Sequence, residues 1–188
     1  MLHNRALLSI FACSSVVVIG CAYHPSKDAS YTSSSPTAVA AAEVGTSHYT
    51  VINFKPGAKS LSREEKSKIR ELAALAERQG KVAEFKVLAW SDKEYPADGA
   101  KVASADSKLA DDRANEIENF LEKDVNTSAD VDTHNMAKRP NMLGEMTKSD
   151  DYEIKTTFEA TGAAPTTKQT LKSLLPGATA SKAIILVR

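Results

Sequence analysis

Cysteine is nearly absent from this sequence: of 188 residues two are cysteines, Cys13 and Cys21, both close to the amino terminus. No disulfide can brace the rest of the chain, and whatever folds there is held by its core alone. An excess of one charge is absent too. With 24 basic and 24 acidic residues the formal net charge is zero, whereas a nucleic-acid-binding chain usually carries a basic excess. The short signatures of common catalytic and metal sites are also missing. No His-x-x-x-His or Cys-x-x-Cys spacing occurs, nor a Gly-x-Ser-x-Gly elbow, a Ser-x-x-Lys pair or a glycine loop built to cradle phosphate. Asp92, Glu94 and Asp98 lack the spacing of a calcium loop, and Pro96 interrupts them. The expectation is a protein without catalysis, cofactor or resident metal.

What is present falls into three parts. A hydrophobic fraction of 42% and a charged fraction of 26% suit one soluble domain of ordinary size with tails. Residues 1–20 differ from the remainder: His3 and Arg5 form a short polar start, and Ala6 to Ile19 is mostly apolar and uncharged. That run is shorter than the roughly 20 residues a membrane-crossing helix needs and suits the apolar region of a signal peptide. It ends in Val18-Ile19-Gly20-Cys21, which resembles the lipobox of bacterial lipoproteins. The resemblance implies cleavage before Cys21, loss of Cys13 with the signal peptide, and a lipid on the Cys21 thiol. Ala22 stands where an aspartate would signal inner-membrane retention, so the implied destination is the outer membrane. An ordinary secretory signal, or an N-terminal membrane anchor, with an incidental cysteine is the plainer alternative.

Residues 21–47 read as a tether. The stretch is rich in Ala, Ser and Thr, contains Pro25 and Pro36, and has no sustained apolar period, so it is expected to bury too little surface to offset its ordering entropy. A flexible chain of this length spans roughly 30 Å on average. The folded region is expected over residues 48–188.

Hydrophobic periodicity predicts its elements. Thr50 to Phe54 reads as a strand that turns at Pro56-Gly57. Ser62-Arg63-Glu64-Glu65 has the form of a capping box. Ile69, Leu72, Ala73 and Ala76 follow at helical spacing before Gly80, giving a helix from about Arg63 to Gln79. Glu84 to Trp90 reads as a strand with Phe85, Val87 and Ala89 on one face. After an irregular stretch, a second helix is expected from about Leu109 to Lys123. A third strand is expected near Val131 to Met136, a short helix over Thr166 to Leu175, and a last strand over Ala183 to Val187. The order suggests an α/β sandwich, with helices packed on one sheet.

Phe54 followed by Leu61 and a helix, then Trp90-Ser91-Asp92, then Leu109-Ala110-Asp111-Asp112-Arg113-Ala114, resembles the C-terminal domain of OmpA and the peptidoglycan-associated lipoproteins. The resemblance covers about Tyr49 to Asp124 and implies a β-α-β-α-β(-α)-β domain. It departs at several points: Trp90 replaces a usual histidine, Asp112 stands where a basic residue is common, and Ala180-Ser181-Lys182 replaces an Asn-Arg-Arg signature. Asp92 and Arg113 are also further apart than in typical members, which places an insertion between them.

That family binds the diaminopimelate of peptidoglycan stem peptides, so the resemblance implies a ligand with an ammonium and a carboxylate on one carbon. Asp92 would accept from the ammonium and Arg113 would hold the carboxylate bidentately, helped by free amides at the start of its helix. The implied role is an outer-membrane-anchored lipoprotein whose periplasmic domain ties the membrane, or an envelope machine, to peptidoglycan. The same residues also read as structural: Asp92 as a turn cap, Arg113 as its ion-pair partner. The chain would then be a scaffold subunit of a secretion-system core with a degenerate site. In size and layout it resembles the small OmpA-like lipoprotein of Dot/Icm-type (type IVB) secretion cores. Met136, Met142, Leu143 and Met146 could supply an adaptable protein-contact surface or fill gaps in the core.

Overall fold

An apolar run that never alternates marks the centre of the fold. Strand Lys182–Val187 is buried at all six positions, as a strand covered on both faces must be. The computed structural model describes residues 35–46, 48–165 and 180–188. Along them run α1 (Pro36–Glu43), β1 (Tyr49–Asn53), α2 (Arg63–Gln79), β2 (Glu84–Ala89) and α3 (Ser104–Phe120), which continues into a π-helical turn (Leu121–Val125). Then follow β3 (Asp130–Asn135), α4 (Met142–Thr147), α5 (Asp150–Ala160) and β4 (Lys182–Val187). The signal segment, Cys21, the first part of the expected tether and the helix expected over 166–175 lie outside the described residues.

The architecture is the expected α/β one, with one mixed sheet in the order β1-β4-β2-β3. β4 runs antiparallel to both neighbours, pairing Val51 with Ile184 on one side and Val87 with Ile185 on the other. β3 is added parallel to β2, with Lys86 opposite Asp132 and Leu88 opposite His134. Alternation along the two central strands divides the interior into two cores. Phe85, Val87, Ala183 and Ile185 face α2 and α3 and pack with Ile69, Leu72, Ile117 and Phe120. Leu88, Trp90, Ile184 and Leu186 form the opposite core with Ala40, Ala41, Ile154 and Phe158.

α2 starts and stops where its sequence punctuates it. The Ser62 hydroxyl accepts from the Glu65 amide at 3.2 Å, and the Gly80 amide closes the last turn onto the Ala76 carbonyl. The reciprocal half of the capping box is replaced: Glu65 turns to Lys68, 2.9 Å away, rather than back to the Ser62 amide.

Three expectations are corrected. The tether does not run to residue 47, because α1 lies inside the fold. Ser35 caps it by accepting from the Ala38 amide, Pro36 occupies its first turn, and Ala40 and Ala41 are fully buried. Short alanine side chains let this helix pack against α5 without an apolar stripe of large residues. The second correction is to α3, which begins at Ser104 rather than Leu109, so Arg113 lies beyond the first turn and away from the helix's free amides. The third concerns residues after Val125, which carry α4 and α5 as well as strands. Ser149 caps α5 by accepting from the Tyr152 amide, and Ile154 and Phe158, one turn apart, face the core.

Placing a charge at Ala40 tests whether α1 is integral. Ala40→Arg should lower stability by about 1–3 kcal/mol through overpacking in a chemical-denaturation experiment, whereas a free tether would tolerate it without change.

Candidate functional site

Arg113 is fully buried, an unusual place for a guanidinium unless its donors are satisfied. α3 directs it under the end of β2. There its Nη1 donates to the Trp90 carbonyl at 2.9 Å, and its Nε donates to the Ala58 carbonyl at 2.8 Å. Nη2 reaches Asp92 Oδ1 at 2.7 Å and, more weakly, the Lys55 carbonyl at 3.4 Å. The ring of Phe54 lies 4.7 Å from the guanidinium carbon, adding a cation–π contact. One side chain therefore joins the loop after β1, the end of β2 and α3.

Asp92 receives the outward end of this arrangement. Its Oδ1 also accepts from the Ser181 hydroxyl at 2.8 Å, and its Oδ2 accepts from the Gly57 amide at 2.5 Å. Gly57 has φ +73°, a conformation in which a side chain is strained. Burial pushes the Asp92 carboxyl up, but the bonds from Arg113, Ser181 and Gly57 outweigh it and hold the group below the usual carboxylate range. About a quarter of the side chain, 26%, stays exposed.

Sequence reasoning named both residues, and the fold brings them together across 21 positions. The division of labour between them changes. Arg113 was expected to offer its fork to a ligand carboxylate; instead the fork is turned inward onto three backbone carbonyls and Asp92, with no exposed surface. Asp92 alone faces outward. Asp112, which stands where a basic residue is common in the family the chain resembles, makes no ion pair with Arg113. It is held by Lys108 at 2.9 Å and Lys59 at 3.4 Å. Trp90 is fully buried and packs near Phe158, as expected of a core residue. Two clefts flank this Arg113–Asp92 clasp. One, about 430 Å³, is lined by Phe54, Lys55, Ala58 and Leu61. The other, about 210 Å³, is lined by Ser91, Lys93, Lys101 and Asp106.

Ser181 and Gly57 were missed because nothing local marks them: one is brought in by β4, and the other acts through its backbone. Lys182, beside Ser181, was missed too. It donates to the Ala163 carbonyl at 2.8 Å and sits 5.2 Å from the Trp90 ring, and burial pushes its amine down to about 8. Cys21 lies outside the described residues. No protein-family model matches the chain, and no curated protein matches it.

Arg113→Ala strands three carbonyls and a carboxylate and should cost about 3–5 kcal/mol, as breaking a buried pair does, measured by denaturant unfolding. Because the folded Asp92 carboxyl lies below its unfolded value, its stabilisation is full above that value and disappears as pH falls through the folded one. Asp92→Asn should therefore flatten the acid limb of the stability profile. Lys182 acts at the opposite end. Its amine falls from 10.5 to about 8 on folding, so the unfolded state binds the proton more tightly and stability should rise with pH between those values. A Lys182→Met variant should lose that alkaline rise.

Proposed function

We propose that the chain is a lipid-anchored outer-membrane protein that ties the membrane, or an envelope machine, to peptidoglycan. In this reading Asp92 takes the ammonium of a diaminopimelate-type group in the stem peptide. The observation that carries it is the Asp92 carboxylate: held ionised by three donors, fixed at the end of a central strand, and still partly exposed. A ligand ammonium meets a carboxylate whose orientation has already been set by Arg113, Ser181 and Gly57, so little rotamer freedom is lost on binding. Arg113 is the positioning residue. With no guanidinium edge left for the ligand, a single site should be weak, on the order of millimolar. Many anchored copies facing a continuous wall polymer would hold through multivalency.

The second reading is a scaffold subunit whose clasp is purely structural. Two observations favour it: the inward-turned fork of Arg113, and the exposure of Met142, Leu143 and Met146 on α4, at 79%, 68% and 77%. That surface would suit a protein contact within a secretion or other envelope complex.

Titration of a soluble stem peptide into the purified protein separates the readings, with thermal unfolding followed alongside. Weak saturable binding that falls about tenfold or more in Asp92→Asn is expected, since a charge-assisted contact is worth about 1.5–3 kcal/mol. If the wild-type protein binds no peptide at millimolar concentration and Asp92→Asn changes stability alone, the scaffold reading replaces the wall-binding one.

A further inference from the structure

A second charged cluster lies on the sheet face covered by α1 and α5, and it shares no residue with the Arg113–Asp92 clasp. Asp132 and His134 alternate along β3, so both project from the same face of the sheet, and Lys86 of β2 lies opposite Asp132 in the register. α5 supplies the other wall with Asp150 and Asp151, its first two residues. His134 is buried, with 4% exposure. Its Nδ1 is fixed by Asp151 Oδ1 at 3.1 Å. Its Nε2 is 3.2 Å from Asp132 Oδ2 and 3.6 Å from Asp150 Oδ2, yet makes no hydrogen bond to either. A buried imidazole nitrogen without a hydrogen bond, flanked by two carboxylate oxygens, is a position that a cation can fill.

The charge around it points the same way. Glu84, Asp132, Asp150 and Asp151 face Lys86, Lys155 and Arg188 through contacts of 2.8–3.7 Å. The carboxylates exceed the cations by one, before His134 is considered. We propose that Asp132, His134 and Asp150 form a binding site for a first-row divalent cation, with His134 Nε2 and one oxygen from each aspartate as ligands.

The geometry fits that assignment. The three donor atoms lie within 4.8 Å of one another, and the two histidine–carboxylate separations are 3.2 and 3.6 Å. A tetrahedral or octahedral shell with bonds of about 2.1 Å has edges of roughly 3.0–3.4 Å, so the Asp132 oxygen already stands at ligand spacing from Nε2 and the Asp150 oxygen has to close in slightly. Asp151 on Nδ1 is the outer-shell carboxylate that orients a metal-binding histidine. One nitrogen and two carboxylate oxygens suit zinc or manganese better than calcium, which takes an all-oxygen set, or copper(I), which prefers sulfur. Lys86 is the built-in competitor. Its ammonium lies 2.8 Å from Asp150 Oδ2 and 3.4 Å from Asp132 Oδ2, so the incoming cation displaces it toward Glu84, 3.0 Å from it. The proposal rests on residues separate from Asp92 and Arg113 and stands whichever reading of the clasp is correct.

Zinc titrated into the full chain provides the test, with Cys13 and Cys21 replaced by serine so that thiols do not compete. A chelator-competition assay should give one equivalent of zinc, a rise in the thermal midpoint on binding, and a shift of the His134 Nε2 resonance in ¹⁵N spectra. Asp132→Asn should weaken binding at least about tenfold, and Asp151→Asn should weaken it by about tenfold through the orienting bond. Lys86→Met, by removing the competitor, should tighten it. The half-exposed Asp132 makes its variant the one expected to fold normally if Lys86→Met does not. Absence of zinc uptake would overturn the proposal and leave a structural ion-pair network around Lys86. Zinc binding unchanged by Asp132→Asn and Asp151→Asn would overturn it equally.

Discussion

The buried guanidinium of Arg113 sets the terms for the region around it. From α3, this one charged group touches both the loop after β1 and the end of β2. The charge is tolerable there because carbonyls of Lys55, Ala58 and Trp90 and the carboxylate of Asp92 surround it, which turns a severe desolvation cost into a geometric constraint. Asp92 then transmits the constraint to Ser181 at the start of β4 and to Gly57. The carboxylate that faces outward is therefore as fixed as the core beneath it.

Around this clasp the two faces of the sheet do different work. The face under α2 and α3 is an apolar core, built from Ile69, Ile117, Phe120 and the odd-numbered residues of β2. The other face grades from apolar packing around Trp90 and Phe158 into the Lys86–His134 charges at the start of α5. The buried members, Lys86 and His134, are poor stability devices, since well-packed apolar residues often do as well or better.

How much of this was legible in the sequence depended on whether the signal was local. Strands β1, β2, β3 and β4 and helix α2 carry their own periodicity and punctuation, and their bounds agree closely with expectation. α3 began earlier than expected because its cap residue, Ala103, offers no side-chain bond and its first turn is polar. α1 hid in an alanine-rich stretch that has helix propensity but no apolar stripe, and its burial depends on a partner, α5, more than a hundred residues away in sequence. At the site, the Asp92–Arg113 pair could be named from the resemblance, but not which way the guanidinium pointed: that is decided by three backbone carbonyls. His134 belongs to no spaced motif. Only the parallel pairing of β3 with β2 and the placement of α5 bring Lys86, Asp132 and Asp150 to it.

The central claim is that Arg113 is an internal strut and Asp92 the outward-facing group. Heteronuclear NMR of the protein, with the Arg113 Nε–H and the Asp92 side-chain carboxyl carbon both assigned, tests it directly during addition of stem peptide. The account predicts an Arg113 Nε–H that exchanges slowly with solvent and hardly shifts, while the Asp92 carboxyl resonance moves with saturation. Rapid solvent exchange at Arg113, or a peptide-induced shift centred on its guanidinium rather than on Asp92, would contradict it.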